Sequence, residues 1–247
     1  MPAIWLRSIY ALFFRQFLYY SLFAMEEQKG KQSKGTLKDK AYVYLKGQII
    51  NGILKPGEII DEKKYVSELQ ISRTPVHEAL SCLVTENLVT IVPRRGIIVS
   101  YLRIKDVLDI YEVRKIIEPS VMALIGRKFD HAVLEKFQND FINTAMISST
   151  LEGLDLDSKF HLYLASCTGN KVLLEVEERM LTQSQRIRVL SSSYDKSHDT
   201  AAREEHCRII QALLANDSAT AGEIAVQHLD RSVARYNTIF TSGDFMV

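Results

Sequence analysis

Between residues 61 and 101 the apolar spacing changes from a helical period to an alternating one, and this change most narrows what the chain can fold into. Residues 61–69 (DEKKYVSEL) read as a helix with Asp61 as N-cap. Gln70, Ile71 and Ser72 make a short turn. Residues 73–86 (RTPVHEALSCLVTE) read as the next helix, with Ser72 as N-cap and Pro75 in the first turn, where a missing N–H costs little. Val76, Ala79, Leu80 and Leu83 form a stripe to bury; Arg73, His77 and Ser81 recur at i, i+4, i+8 on another face, with Thr74 beside them. Residues 88–92 (LVTIV) and 97–101 (IIVSY) are β-rich and flank a turn, Pro93-Arg94-Arg95-Gly96, tipped with two cations. Ahead of all this, residues 37–54 read as a helix on Leu37, Ala41, Tyr44, Leu45, Ile49 and Ile53, stopped by Lys55-Pro56-Gly57. Helix, helix, short turn, helix and two-stranded wing predict a winged helix-turn-helix over residues 36–102. Its third helix is sized for a DNA major groove, where an arginine can donate twice to a guanine edge. The wing arginines suit phosphate or minor-groove contact.

The stretch KPGEIIDEKKYVSELQISRTPVHEALSCLVTENLVTIVPRRGIIV resembles the signature of the GntR family of transcription regulators. Ser72, Arg73, Thr74, Pro75, Glu78, Ala79 and Leu80 stand where that family has them. The resemblance implies DNA contacts from Lys63, Arg73, Thr74, residue 77 and the wing at Arg95-Gly96; Ser72 and Arg94 complete the candidate set. Residue 77 departs from the pattern, being His77 where most members carry an arginine that reads DNA. Histidine lacks the bidentate fork and is mostly neutral at pH 7, so operator preference or affinity is expected to differ.

Residues 103–240 show no strand pattern and no glycine-rich phosphate loop. They read as amphipathic helices over about 104–126, 130–148, 154–167, 170–191, 200–215 and 218–240, with breaks that include Glu152-Gly153 and Gly169-Asn170. The fold class is therefore mainly α with a small β wing, the second half an all-α bundle. Asp157 and His161 lie at i, i+4 on one helical face. His206 precedes the turn at Asp217 by eleven residues and His228 follows it by eleven, so an antiparallel hairpin sets both at one height. Three imidazoles and a carboxylate suit Zn²⁺, with Ni²⁺ or Mn²⁺ as alternatives.

This half resembles the FCD-type ligand-binding domain of the FadR-like branch, in which an Arg-x-x-x-Glu helix precedes a D-x-x-x-H element and two later histidines. Here these are Arg114 and Glu118, Asp157 and His161, then His206 and His228. The resemblance implies a metal whose open positions receive a carboxylate-bearing metabolite or water. Arg114 is the candidate clamp for that carboxylate, the alternative being a surface ion pair with Glu118; Arg186 is preferred to Arg188 as a second ligand-binding residue.

Charge follows the same division. Residues 26–102 carry twelve Lys/Arg against nine Asp/Glu, and residues 103–247 seventeen against twenty-one, so a polyanion is expected to meet the front. Three cysteines without a CxxC, Cys82, Cys167 and Cys207, argue for free thiols in a reducing cytoplasm. Residues 1–25 hold eight of the 22 aromatics yet no apolar run long enough to span a membrane. They are either a membrane-surface helix or the product of a misassigned start, translation then beginning at Met25. Residues 1–35 are accordingly an N-terminal extension, polar and disordered after Met25, and residues 241–247 a tail, with no stable membrane association expected. The chain is thus expected to be a homodimeric, cytoplasmic repressor on a near-palindromic double-stranded operator, answering an organic-acid or sugar-acid effector through its metal. The rival readings are a purely structural metal with a protein partner as signal, and a metal-dependent hydrolase, against which no HExxH occurs and Glu205, next to His206, is expected to point to a neighbouring face.

Overall fold

The computed structural model describes residues 35–143, 150–191 and 198–241; the aromatic segment and the tail after Thr241 lie outside them. Among the described residues there are nine helices and one two-stranded antiparallel sheet. The first five elements are α1 (Leu37–Ile50), α2 (Glu62–Leu69), α3 (Arg73–Thr85), β1 (Val89–Val92) and β2 (Gly96–Val99). Six helices follow: α4 (Ile104–Ile125), α5 (His131–Asn143), α6 (Thr150–Cys167), α7 (Lys171–Ser191), α8 (His198–Leu214) and α9 (Ser218–Thr241).

The winged half closes on its own core. Ala41, Leu45 and Ile49 of α1 meet Tyr65 and Leu69 of α2, and Val76, Ala79, Leu80 and Leu83 of α3, with Val89 and Val99 of the sheet beneath. Asp61 caps α2 by accepting from the Lys63 N–H at 2.9 Å. Ser72 holds the N-cap position of α3, but its hydroxyl makes no capping bond. The strands pair from Val89↔Val99 to Val92↔Gly96, the register that one short turn allows. At Gly57, φ is +77° and an added Cβ would meet the Tyr101 ring at 2.5–2.8 Å, so the Lys55-Pro56-Gly57 turn needs a residue without a side chain there.

Two expectations are corrected. Helix α1 ends at Ile50, not residue 54, because Gly52 turns left-handed (φ +67°); Ile53 consequently lies outside the helix and is 56% exposed. Helix α6 starts at Thr150 and runs through the expected break at Glu152-Gly153, since a single glycine weakens a helix by only about 1 kcal/mol. The helix predicted over 130–148 is helical to Asn143, its last residues lying outside the described ones.

The helical half packs α4 along α9 and brings α5, α6 and α8 around a second core containing Met122, Leu134, Phe141, Phe160, Leu164, Ile209 and Ala225. None of the three cysteines forms a disulfide. Among the described residues no helix is long and apolar enough to cross a membrane. Because Leu80 is fully buried at the centre of the first core, Leu80→Ala is expected to cost about 2–5 kcal/mol of unfolding free energy, read as a lowered denaturation midpoint.

Candidate metal centre and DNA-binding face

Helices α6, α8 and α9 each turn polar side chains into the apolar interior at one level. Asp157 and His161 come from α6, His206 from α8 and His228 from α9, and one ligand atom from each lies within 4.8 Å of the others. All four are buried. His161 Nε2 is 3.1 Å from His206 Nε2, and His206 Nε2 is 3.3 Å from Asp157 Oδ1. The i, i+4 pair and the hairpin pair therefore converge as their spacing predicts.

The outer nitrogens decide which atoms face inward. His161 Nδ1 lies 3.2 Å from Glu118 Oε2, and His228 Nδ1 lies 2.8 Å from Glu205 Oε2. A carboxylate at Nδ1 keeps the proton there and leaves the Nε2 lone pair for the centre, the arrangement by which metal-binding histidines are usually held. Glu118 is itself gripped by Arg114 Nε at 2.6 Å, and Glu205 by Arg231. Among the described residues no carboxylate holds His206 Nδ1; the ring instead stacks on Phe141, centroids 4.6 Å apart at 19°. The donor set, three imidazoles and one carboxylate oxygen, fits a divalent transition metal.

Charge is balanced closely. Burial would raise the Asp157 carboxyl, but Arg188 and then His206 outweigh it and hold it well below the usual carboxylate range. Burial also opposes Glu118 ionisation, and Arg114, His161 and His228 more than reverse this, bringing it down to about 2. Burial, reinforced by His228, pushes His206 well below its ordinary value, so its imidazole is neutral near pH 7. For His161 the Glu118 carboxylate outweighs burial and raises it.

The two candidate ligand-binding arginines separate. Arg114 is 1% exposed, in a buried pair with Glu118 rather than a surface one, and lies over the Tyr111 ring at 5.3 Å. Arg186 is not brought to the cluster; its guanidinium donates to the Ser100 carbonyl. Arg188 is the one that pairs with Asp157. Glu177 and Glu62 have no counterpart among the residues singled out from the sequence, and the expectation for Glu205 is corrected: it does not point away on a neighbouring face but is 3% exposed, with Oε2 2.8 Å from His228 Nδ1. Glu177, 1% exposed on α7, groups with Glu118 and His161, their ligand atoms within 4.8 Å. Each stands in a polar run that resembles a solvated face, and only packing shows which member turns inward.

On the winged half, Lys63, Ser72, Arg73, Thr74, His77, Arg94, Arg95 and Gly96 are all exposed. Arg94 and Gly96 adopt positive φ at the wing tip. Arg73 Nε donates to Glu62 Oε2 at 3.0 Å, and His77 Nδ1 lies 3.5 Å from Glu62 Oε1. Glu62 thus ties the two predicted reading residues to one point on α2.

Comparison with known proteins follows the same division. Residues 37–99 match the family model for bacterial regulatory proteins of the gntR family, and residues 109–231 match that for the FCD domain. The chain is 31% identical over 208 residues to the HTH-type transcriptional repressor GlaR of Escherichia coli (strain K12), covering 76% of this chain and 90% of that one. It is 30% identical over 202 residues to the HTH-type transcriptional regulator LutR of Bacillus subtilis (strain 168), covering 73% and 92%. The solved structure of E. coli McbR/YncC shares the fold with a TM-score of 0.75 at 20% identity, covering 83% of this chain and 99% of that one. With a gntR domain, an FCD domain and relatives matched over nearly their whole length, the chain belongs to the GntR family and is a DNA-binding transcription regulator of the gntR–FCD type.

Proposed function

We propose that this regulator is a metal-dependent sensor of a small organic or sugar acid, whose DNA binding answers to occupation of the helical half. The observation that carries the reading is the convergence of Asp157, His161, His206 and His228, all buried, with lone pairs held inward by Glu118 and Glu205. A bound divalent ion would supply open coordination positions for a carboxylate. Arg114, charged and buried beside Glu118, favours an anionic ligand. Two copies on a near-palindromic operator would place two α3 helices in successive major grooves, with Lys63, Ser72, Arg73, Thr74 and His77 at the groove and Arg94, Arg95 and Gly96 at its rim. The name of GlaR, a repressor, supports repression as the mode.

Helix α7 gives the reading a physical connection. Arg188 pairs with Asp157 at the cluster. On the same helix, Gln183 donates to the Glu86 carbonyl at the C-cap of α3 at 2.8 Å, and Arg186 donates to the Ser100 carbonyl just after β2. An ion that draws Asp157 away from Arg188 alters the load on a helix whose other contacts hold the end of the reading helix. Coupling of this kind is worth typically about 1–3 kcal/mol.

Purified protein reconstituted with Zn²⁺, Ni²⁺ or Mn²⁺ is expected to hold about one ion per chain by elemental analysis. His206→Ala combined with His228→Ala is expected to lose it while still binding operator; wild-type protein that stays metal-free would exclude the reading. Arg73→Ala is expected to weaken operator binding by about 1–3 kcal/mol and to leave random DNA nearly unchanged. An equal loss on both would make Arg73 a phosphate contact instead. Gln183→Leu is expected to keep both metal and operator binding but to reduce the change in operator affinity on adding zinc, measured by fluorescence anisotropy; an unchanged response would remove α7 from the connection.

A further inference from the structure

Glu177 stands out among the buried charges as the least satisfied. It is 1% exposed, and neither carboxylate oxygen accepts a hydrogen bond. Buried polar groups are almost always paired, and an unanswered buried charge is among the costliest features a fold can retain. The donors nearest to it in chemistry are already committed. Arg114 Nε donates to Glu118 at 2.6 Å, and His161 Nδ1 faces Glu118 at 3.2 Å. One further donor there is left over, since Arg114 Nη2 is also buried without a hydrogen bond. An acceptor without a donor, on Glu177, and a donor without an acceptor, on Arg114, therefore belong to one buried group: Glu177 lies with Glu118 and His161, and Arg114 is the partner of Glu118.

A second metal ion is a poor answer to this pair of vacant bonds. His161 already directs Nε2 towards His206 and Nδ1 towards Glu118, so it has no third lone pair to offer. A cation there would keep only two carboxylates and would sit against the Arg114 guanidinium. A molecule that both donates and accepts matches better. Its acceptor is an anionic oxygen, which answers Arg114 Nη2 and the metal side; its donor answers Glu177.

We infer that Glu177 and Arg114 form a specificity subsite that selects an organic acid carrying a hydroxyl or ammonium donor next to its carboxylate. The inference rests on the metal-sensor reading above and refines its ligand class. Glu177 would reject the unsubstituted acid because that acid leaves the carboxylate buried and unanswered, a stronger ground for discrimination than any gain in contact area. Arg114 would orient the ligand so that its donor points to α7 and not into the apolar side formed by Phe141 and Phe160.

The test uses the full chain loaded with zinc, its zinc content measured first, and two matched sets of probes: propionate, lactate and alanine; succinate, malate and aspartate. Calorimetric titration is expected to show a hydroxy or amino acid binding about tenfold or more tighter than its unsubstituted parent, the ratio that a hydrogen bond to a charged group supplies. Glu177→Leu is expected to erase that ratio with zinc content unchanged. Glu177→Gln, which keeps the shape and one acceptor oxygen, separates the two donors: a hydroxyl ligand retains most of its preference, and an ammonium ligand loses it with the charge. Equal binding of parent and substituted acids by the wild type, a preference that survives Glu177→Leu, or no binding of any of the six by zinc-loaded protein would each overturn the inference. A chain that holds no zinc would instead bring down the metal reading itself, and the metal analysis identifies that case before any ligand is added.

Discussion

Within the helical half, a cluster of ionisable side chains is packed where water does not reach, and the helices around it are arranged to answer those charges. Asp157, Glu118, Glu177 and Glu205 are all 6% exposed or less, as are Arg114 and the three histidines. Moving a carboxylate out of water costs several kcal/mol even after relaxation, so each must find a partner from a different part of the chain. Asp157 finds Arg188 across from α6 to α7; Glu118 finds Arg114 along α4 and His161 across to α6; Glu205 finds His228 and Arg231 across from α8 to α9. Most of these bridges cross between helices, so they fix rotation and height where an apolar core alone would tolerate sliding. Glu177 is the member that this scheme leaves open, and burial with the nearby Glu118 charge pushes its carboxyl up to about 7.

Helix α7 belongs to both halves of the molecule. Its apolar side enters the interior through Leu181 and Ile187, its Arg188 reaches the charged cluster, and Gln183 and Arg186 hold backbone carbonyls of the winged half. The grip on Glu86 is reinforced from the other side, where the Glu86 carboxylate receives Tyr42 and lies 2.8 Å from Lys46 of α1. Gly52, at the end of α1, lies against α7 as well, its hypothetical Cβ being 3.4 Å from Val189. Helix α3 is thus fastened at its C-terminal end to the same element that touches the candidate metal ligands, while the residues at its N-terminal end, Ser72, Arg73 and Thr74, are exposed.

Much of this was legible in the residues. The switch of period between α3 and β1 marks the winged fold, and Val76, Ala79, Leu80 and Leu83 are as buried as their spacing implies. The i, i+4 relation of Asp157 and His161, and the equal distances of His206 and His228 from Asp217, forecast the cluster because helical geometry converts both into positions in space. The choice between Arg186 and Arg188 was not legible. Two residues on a helix differ by roughly 200° in direction, so the answer depends on how α7 is rotated about its axis, and long-range packing sets that rotation. Glu177 was hidden, and Glu205 assigned to the wrong face, for a related reason: each has acidic neighbours, Glu175 and Glu178 or Glu204, and a run of like charges carries no sign of which member points inward. The end of α1 was misplaced because Ile53 continues the apolar spacing while Gly52 has already turned the backbone.

The two halves use ion pairs in opposite ways, and exposure accounts for the difference. On the DNA-binding face, Glu62 holds Arg73 and lies near His77, with the Arg73 side chain 77% exposed. Pairs in water contribute roughly 0–1 kcal/mol and are screened by salt. Glu62 can therefore hold Arg73 in place and still release it at little cost, as the proposed role of Arg73 at a guanine edge would require. In the helical half the same chemistry is buried. Arg114 with Glu118 and Arg188 with Asp157 cannot be opened without leaving a bare charge, so they exchange partners only when another charge takes the vacated place. Under the proposed reading, a divalent ion and an anionic ligand arriving together would satisfy that condition, which would make the buried half selective about what rearranges it, while the pairs of the exposed half open at little cost.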